Sequence, residues 1–138
     1  METNRANKQD IIHPELSYRV MSILFKVHNL LGPSYQERYY QRAIEKELKD
    51  QRIPYKKETV VSINYGDTKI GEHALDFIVD NKIILEIKTV PGEDFSSTHQ
   101  ILSYLKSSGL KLGIIANFRA PRLLYRRIVN PHGRLSIS

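Results

Sequence analysis

The chain contains no cysteine, which excludes a disulfide framework and any thiolate metal site. No apolar run reaches bilayer-spanning length, and the opening METNRANKQDIIHPELSYRV lacks the apolar core of a signal peptide. A cytoplasmic protein with no membrane role is therefore expected. Repeats, low-complexity tracts and long linkers are also missing. That predicts one domain over residues 1–138, with residues 1–13 as a flexible N-terminal segment. Acidic residues are missing from one part only, because none follows Asp94. Lys106, Lys111, Arg119, Arg122, Arg126, Arg127 and Arg134 are uncancelled there and supply the net charge of +6, while residues 1–94 stay close to neutral. Such a stretch can hold a polyanion; it can equally be a solvated face that aids solubility.

What the chain does contain is ordinary for a globular domain: 41% hydrophobic and 26% charged residues, enough for a real core. Leu16, Val20, Ile23, Leu24, Val27 and Leu31 recur at helical spacing up to the Gly32-Pro33 break. A second helix is expected over residues 34–52, with Ser34 as N-cap and Tyr40, Ile44 and Leu48 as its inward stripe. After Pro54 the period becomes that of strands. ETVVSINY and TKIGEHALDFIV are joined at Gly66-Asp67, and KIILEIKTV follows a second turn. A third helix is predicted over residues 97–108, closed by Gly109. LGIIANF reads as a strand buried on both faces, and PRLLYRRIV as a short helix or an edge strand. The order predicts an α/β fold with a mixed sheet.

The stretch ALDFIVDNKIILEIKTV holds Asp76, Glu86 and Lys88 among strand-forming apolar residues. A three-residue turn, residues 80–82, sets Val79 opposite Ile83, Phe77 opposite Leu85 and Asp76 opposite Glu86. Leu75, Phe77, Val79, Ile83, Leu85 and Ile87 then share one face, and Glu86 and Lys88 share the other. Directly opposed side chains lie roughly 5 Å apart at Cβ, so the two carboxylates repel and raise each other's pKa. A divalent cation between them resolves that conflict. Oxygen ligands of this kind suit Mg²⁺, with Mn²⁺ as the expected substitute. Lys88 beside them could orient a water or stabilise developing phosphorane charge. The competing reading is a surface salt bridge between Lys88 and the acids.

Two further features bear on the choice. Glu37 lies on the buried stripe of the second helix, where an acid needs a partner, although a first-turn glutamate also suits the helix dipole. Gln100 and Tyr104 share one face of the third helix. Ser97 and Gln100 alternatively form a capping box, and Tyr104 a rim aromatic.

Asp76-x9-Glu86-x-Lys88, preceded by Glu37 and followed by Gln100-x3-Tyr104, resembles the PD-(D/E)XK nuclease superfamily. LGPSYQERYY, LDFIVDNKIILEIKTV, HQILSYLKSSGLKLGIIANF and YRRIVN resemble more narrowly the small bacterial GxxExxY family. The resemblance implies a restriction-endonuclease-like core, a mixed and mostly four-stranded sheet flanked by helices. It implies a metal held by Asp76, Glu86 and the Ile87 carbonyl, Lys88 as catalytic lysine, and Glu37 and Gln100 as supporting catalytic residues. Tyr40 and Tyr104 match the family's tyrosines. Ser34 stands where the motif begins with glycine, and Leu75 where the superfamily's name has proline. The implied activity is Mg²⁺-dependent endonucleolytic hydrolysis of phosphodiester bonds, expected in DNA. Tyr104, Lys106, Arg119, Arg122, Arg126 and Arg127 would contact the nucleic acid, and a homodimer would allow both strands to be cut. Two rivals remain: a nucleic-acid-binding module without chemistry, and a small regulatory protein whose basic tail docks an acidic partner.

Overall fold

Helical spacing of the first apolar set becomes α1 (Pro14–Leu31), which buries Val20, Ile23, Leu24 and Val27. Pro14 suits the first turn, where an N–H would lack a partner anyway. Gly32, at φ 76°, ends the helix and donates its N–H to the His28 carbonyl. α2 (Glu37–Asp50) buries Tyr40, Ile44 and Leu48 as the spacing predicts. It starts later than expected, and Ser34 does not cap it: Gln36 holds the N-cap position without a side-chain bond. The reason lies in Tyr40. Its hydroxyl donates to the Gly32 carbonyl at 2.5 Å and accepts the Tyr35 N–H at 3.2 Å, so the α1–α2 turn is satisfied from inside the protein. Tyr40 is fully buried and stacks on Phe118 at 4.5 Å between centroids.

The computed structural model describes residues 12–93 and 95–130. The expected flexible segment up to residue 11, and Arg134, lie outside the described residues. Among those described, β1 (Tyr55–Tyr65), β2 (Thr68–Val79) and β3 (Ile83–Lys88) form an antiparallel meander. α3 (Thr98–Ser108) is the crossover that lets β4 (Leu112–Asn117) lie parallel to β3. β5 (Leu124–Val129) pairs antiparallel with β4 as an edge strand. The sheet thus has five strands, in the order β1-β2-β3-β4-β5, rather than the four expected. β4 is buried throughout, as an apolar run with neighbours on both edges and both faces must be.

The three-residue turn between β2 and β3 is present. Asp80 and Asn81 both take left-handed φ near 50°, which their short polar side chains tolerate, and the Lys82 N–H bonds the Val79 carbonyl at 2.9 Å. Phe77 faces Leu85 and Val79 faces Ile83.

Two apolar layers follow. Val20, Leu24, Tyr40 and Ile44 from α1 and α2 pack with Phe77, Val79, Leu85, Ile87 and Ile114. On the other face, Ile101 and Leu105 of α3 pack with Ile78, Ile84, Ile115 and Ile128. Leu75 belongs to this second layer, not to the first as its parity predicts. The β1–β2 ladder omits the pair between Glu58 and Asp76, and Glu58 sits at φ 58°; the ribbon kinks there and carries Leu75 across. The Ser97–Gln100 capping box is also absent: Ser97 makes no side-chain cap bond.

Gly113 of β4 lies directly under α3, where an added Cβ would stand 2.6 Å from Ile101 Cγ2. Both residues are buried, so relief must come from moving the helix or the sheet. Gly113→Ala is expected to lower unfolding free energy by about 1–3 kcal/mol in urea denaturation.

Candidate active site

Beyond the Phe77–Leu85 pair, the β2–β3 ladder stops. The next two residues in register are Asp76 and Glu86, and their side chains take over the bonding. Glu86 Oε1 accepts the Asp76 N–H at 2.8 Å, and Asp76 Oδ2 accepts the Ile87 N–H at 2.7 Å. Each carboxylate thus satisfies a main-chain donor that the parted strands leave without a ladder partner. The other Glu86 oxygen meets His73 Nε2 at 2.9 Å. Glu86 is buried at 3% exposure, and Asp76 is half-buried.

This geometry loads strain onto Asp76. Burial, then the charge of Glu86 and more weakly that of Glu37, push its carboxyl up to about 7, while the Ile87 N–H and Lys88 pull it down. Glu37, at the start of α2, is half-buried and accepts a hydrogen bond from Gln41 Nε2 at 3.1 Å. Burial raises its pKa too, with Glu86 adding and Lys88 opposing. The start of α2 therefore sits within electrostatic reach of both β3 residues. Lys88 is half-buried, and among the described residues it forms no ion pair, so the surface-salt-bridge reading is not realised.

Two residues that the sequence reading passed over hold this end of the sheet. His73 braces Glu86; a histidine three residues ahead of an aspartate on a strand carries no spacing signal. Asn117 pairs with Lys88 across the parallel ladder and is fully buried. Its Oδ1 accepts the Val90 and Arg119 N–H groups, and its Nδ2 donates to the Val90 and Gly92 carbonyls. The segment after Lys88 is thereby clamped to the sheet. A polar residue closing the apolar run LGIIAN was the one available hint.

The remaining sequence-predicted residues are dispersed. Gln100 and Tyr104 line a separate groove between α3 and β1, with Val61, which pairs with His73 on β2. Lys106 is exposed on the last turn of α3. Arg119 lies beside Thr89 and Tyr35, and Arg122 beside Phe25 and Asn29. Arg126 and Arg127 are adjacent on β5 and point to opposite faces, since strand side chains alternate. Arg126 lies over the Phe95 ring at 4.7 Å, and Arg127 has its Nε and Nη2 buried without a hydrogen-bond partner. Among the described residues, the C-terminal cations thus stand on several elements: Lys106 on α3, Arg126 and Arg127 on β5, and Arg119 and Arg122 on the segment between β4 and β5.

Among the described residues, no three His, Asp or Glu side chains converge as a ready cation cage. The donors present nonetheless suit a hard divalent cation: two carboxylate groups and a neighbouring main-chain carbonyl, all oxygen. Asp76 and Glu86 face one another across the parted strands, each bonded to a main-chain N–H, and burial together with the Glu86 charge raises the Asp76 carboxyl, so a cation there would relieve part of that cost.

A mixed sheet flanked by helices thus carries acids and a lysine where two central strands part. The chain belongs to the PD-(D/E)XK nuclease superfamily, whose family model matches residues 14–128. No curated protein matches it. Enzymes of this class are generally nucleases that use divalent metals. Among the described residues, no helix is long and apolar enough to cross a membrane.

Asp76 makes metal-free stability fall as pH rises. Its folded pKa of about 7 exceeds the ordinary value of 3.8 for a solvated aspartate, so between these limits the native state binds the proton and the unfolded state does not. Unfolding free energy should decline across that window, by an amount on the order of a few kcal/mol. Asp76→Asn should flatten the decline. Denaturation midpoints from pH 4 to 8 in EDTA check this.

Proposed function

We propose that the protein is a metal-dependent endonuclease that hydrolyses phosphodiester bonds in DNA. The observation that carries the reading is the facing pair of half-buried Asp76 and buried Glu86, with Lys88 and Glu37 within electrostatic reach. Asp76, Glu86 and the Ile87 carbonyl would hold Mg²⁺, for which Mn²⁺ substitutes. When bound, the ion supplies charge for phosphate oxygens and makes water a better nucleophile at neutral pH. The chain's own residues do the rest. Lys88, without an ion pair among the described residues, is available to donate to the attacking water or to the charge that develops on phosphorus-bound oxygen. Glu37, with its raised pKa, is suited to share a proton with a water beside the pair. His73 and Asn117 hold Glu86 and the segment after Lys88 in place. Gln100 and Tyr104 line a groove on the far side of β1, suited to substrate contact.

Within the superfamily we assign the chain to the GxxExxY group on Glu37 and Tyr40, with Ser34 replacing the first glycine. Arg119 beside Thr89 is the C-terminal cation best positioned for backbone contact near the site, and a homodimer would present two sites to a duplex. A second reading draws on the main-chain bonds themselves: one oxygen of each carboxylate already serves an N–H, as befits a binding module on the same fold.

Cleavage separates the two readings. Supercoiled plasmid, single strands, a four-way junction and RNA are incubated with Mg²⁺ or Mn²⁺, or with EDTA, using wild type, Lys88→Ala and Asp76→Ala purified identically. The nuclease reading expects metal-dependent cutting that drops at least about a hundredfold in both variants. Cutting that survives in both variants, or binding of the same substrates without cutting, overturns it.

A further inference from the structure

The C-terminal cations are scattered, but a different cationic surface borders the site. Tyr35, just before α2, and Tyr39, in its first turn, are 49% and 39% exposed. Their centroids are 6.0 Å apart, edge to face. Guanidinium groups stand among them: Arg38 lies 4.9 Å and Arg42 5.7 Å from the Tyr39 ring centroid. Arg38 Nη2 also bonds the Tyr39 hydroxyl at 3.2 Å. Neither arginine has a carboxylate partner among the described residues. Lys57, by contrast, is spent on Glu45 at 3.0 Å.

Two clefts meet at this rim. One, between α2 and β1, is lined by Arg38, Gln41, Arg42 and Lys57 and has Asp76 in its wall. The other runs from Tyr35 and Gln36 to Thr89 and Arg119, one residue beyond Lys88. Glu37 lies between them in the chain. The α2–β1 cleft also carries Glu45 and Glu58, and its cations without a carboxylate partner among the described residues are Arg38 and Arg42; it leads from the aromatic rim to Asp76.

We propose that Tyr35 and Tyr39 form a stacking platform for unpaired bases, with Arg38 and Arg42 on the phosphates, so that a single-stranded segment reaches Asp76 across α2. Unpaired bases expose π-faces that a duplex hides, and stacking on tyrosine is indifferent to sequence. Exposed rings interleaved with unpaired guanidiniums meet both needs of such a strand, base faces and backbone charge. Arg38 holds the Tyr39 ring through its hydroxyl, so less freedom is lost when a base arrives. The proposal deepens the nuclease reading and rests on it for its biological meaning, but it is measured by binding alone.

The full chain in EDTA is titrated by fluorescence anisotropy against labelled oligothymidylate, oligouridylate, an abasic strand of equal length and a duplex. Tyr35→Leu, Tyr39→Leu, Tyr39→Phe and the double variant Arg38→Ala/Arg42→Ala are compared with wild type. Thermal denaturation checks that each variant is folded; Tyr39→Phe keeps the ring if a leucine variant is not. Leucine should weaken binding of the thymidylate or uridylate strand by about tenfold or more, phenylalanine should restore it, and duplex affinity should scarcely change. The abasic strand should bind wild type no better than the thymidylate strand binds the leucine variants. The double variant should flatten the dependence of affinity on salt. Leucine variants that bind unpaired strands as wild type does, an abasic strand that binds equally well, or parallel loss for strand and duplex overturns the proposal. So does wild type that binds no nucleic acid. The two readings fail separately: metal-dependent cutting with no effect of the tyrosines sinks the platform alone, and ring-dependent binding without cutting sinks the nuclease alone.

Discussion

Main-chain donors at the β2–β3 parting need acceptors, and in this protein two carboxylates provide them. Much of the local architecture depends on that exchange. A carboxylate that accepts a main-chain N–H stands where an ordinary ladder bond would stand, so the strands can diverge without leaving polar groups unsatisfied. The divergence extends to β1, whose pairing lapses at Glu58 opposite Asp76 and whose kink moves Leu75 to the α3 layer. Charge is thereby concentrated where hydrogen bonding is satisfied but electrostatics are not. Burial first, and the charge of Glu86 after it, raise the pKa values of Asp76 and Glu37. A cation or phosphate-bound metal is the natural complement of such a place.

Much of this was readable in the chain. Tyr40, Ile44 and Leu48 face inward because four-residue spacing leaves a helix little choice, and α2 shows it. The register of Phe77 against Leu85 follows from one turn length, and Asp80 and Asn81 are residues that accept the left-handed conformation such a turn demands. What escaped was tertiary. Nothing local marks Glu58 for a positive φ, so the crossing of Leu75 could not be foreseen. Ser34 satisfies every local criterion for a cap, yet the Tyr40 hydroxyl satisfies the turn from a full helical turn away. His73 and Asn117 act through partners distant in sequence, and no spacing rule reports such contacts.

Charge was the least legible property. A run of seven cations with no acids suggests one basic face, but a face is a matter of secondary structure. Once residues 124–129 form a strand, adjacent Arg126 and Arg127 are sent to opposite sides, and Arg127 is partly withdrawn from solvent. Arg38 and Arg42, ordinary in the near-neutral part of the sequence, are aligned on α2 by four-residue spacing and line the α2–β1 groove that has Asp76 in its wall.

The clamp made by Asn117 bears on how the site comes together during folding. The carboxylate–amide bonds close loops of 10 and 11 positions, whereas those of Asn117 to Val90 and Gly92 close loops of 27 and 25. Loop-closure entropy grows only logarithmically, so the longer loops cost about 1 kcal/mol more than the shorter ones. That gap is too small to make the lysine-bearing segment a separately ordering lid. The hairpin that sets two like charges side by side and the ladder that fixes the lysine near them belong to one cooperative unit, so local opening of this region should release the acids and the lysine together.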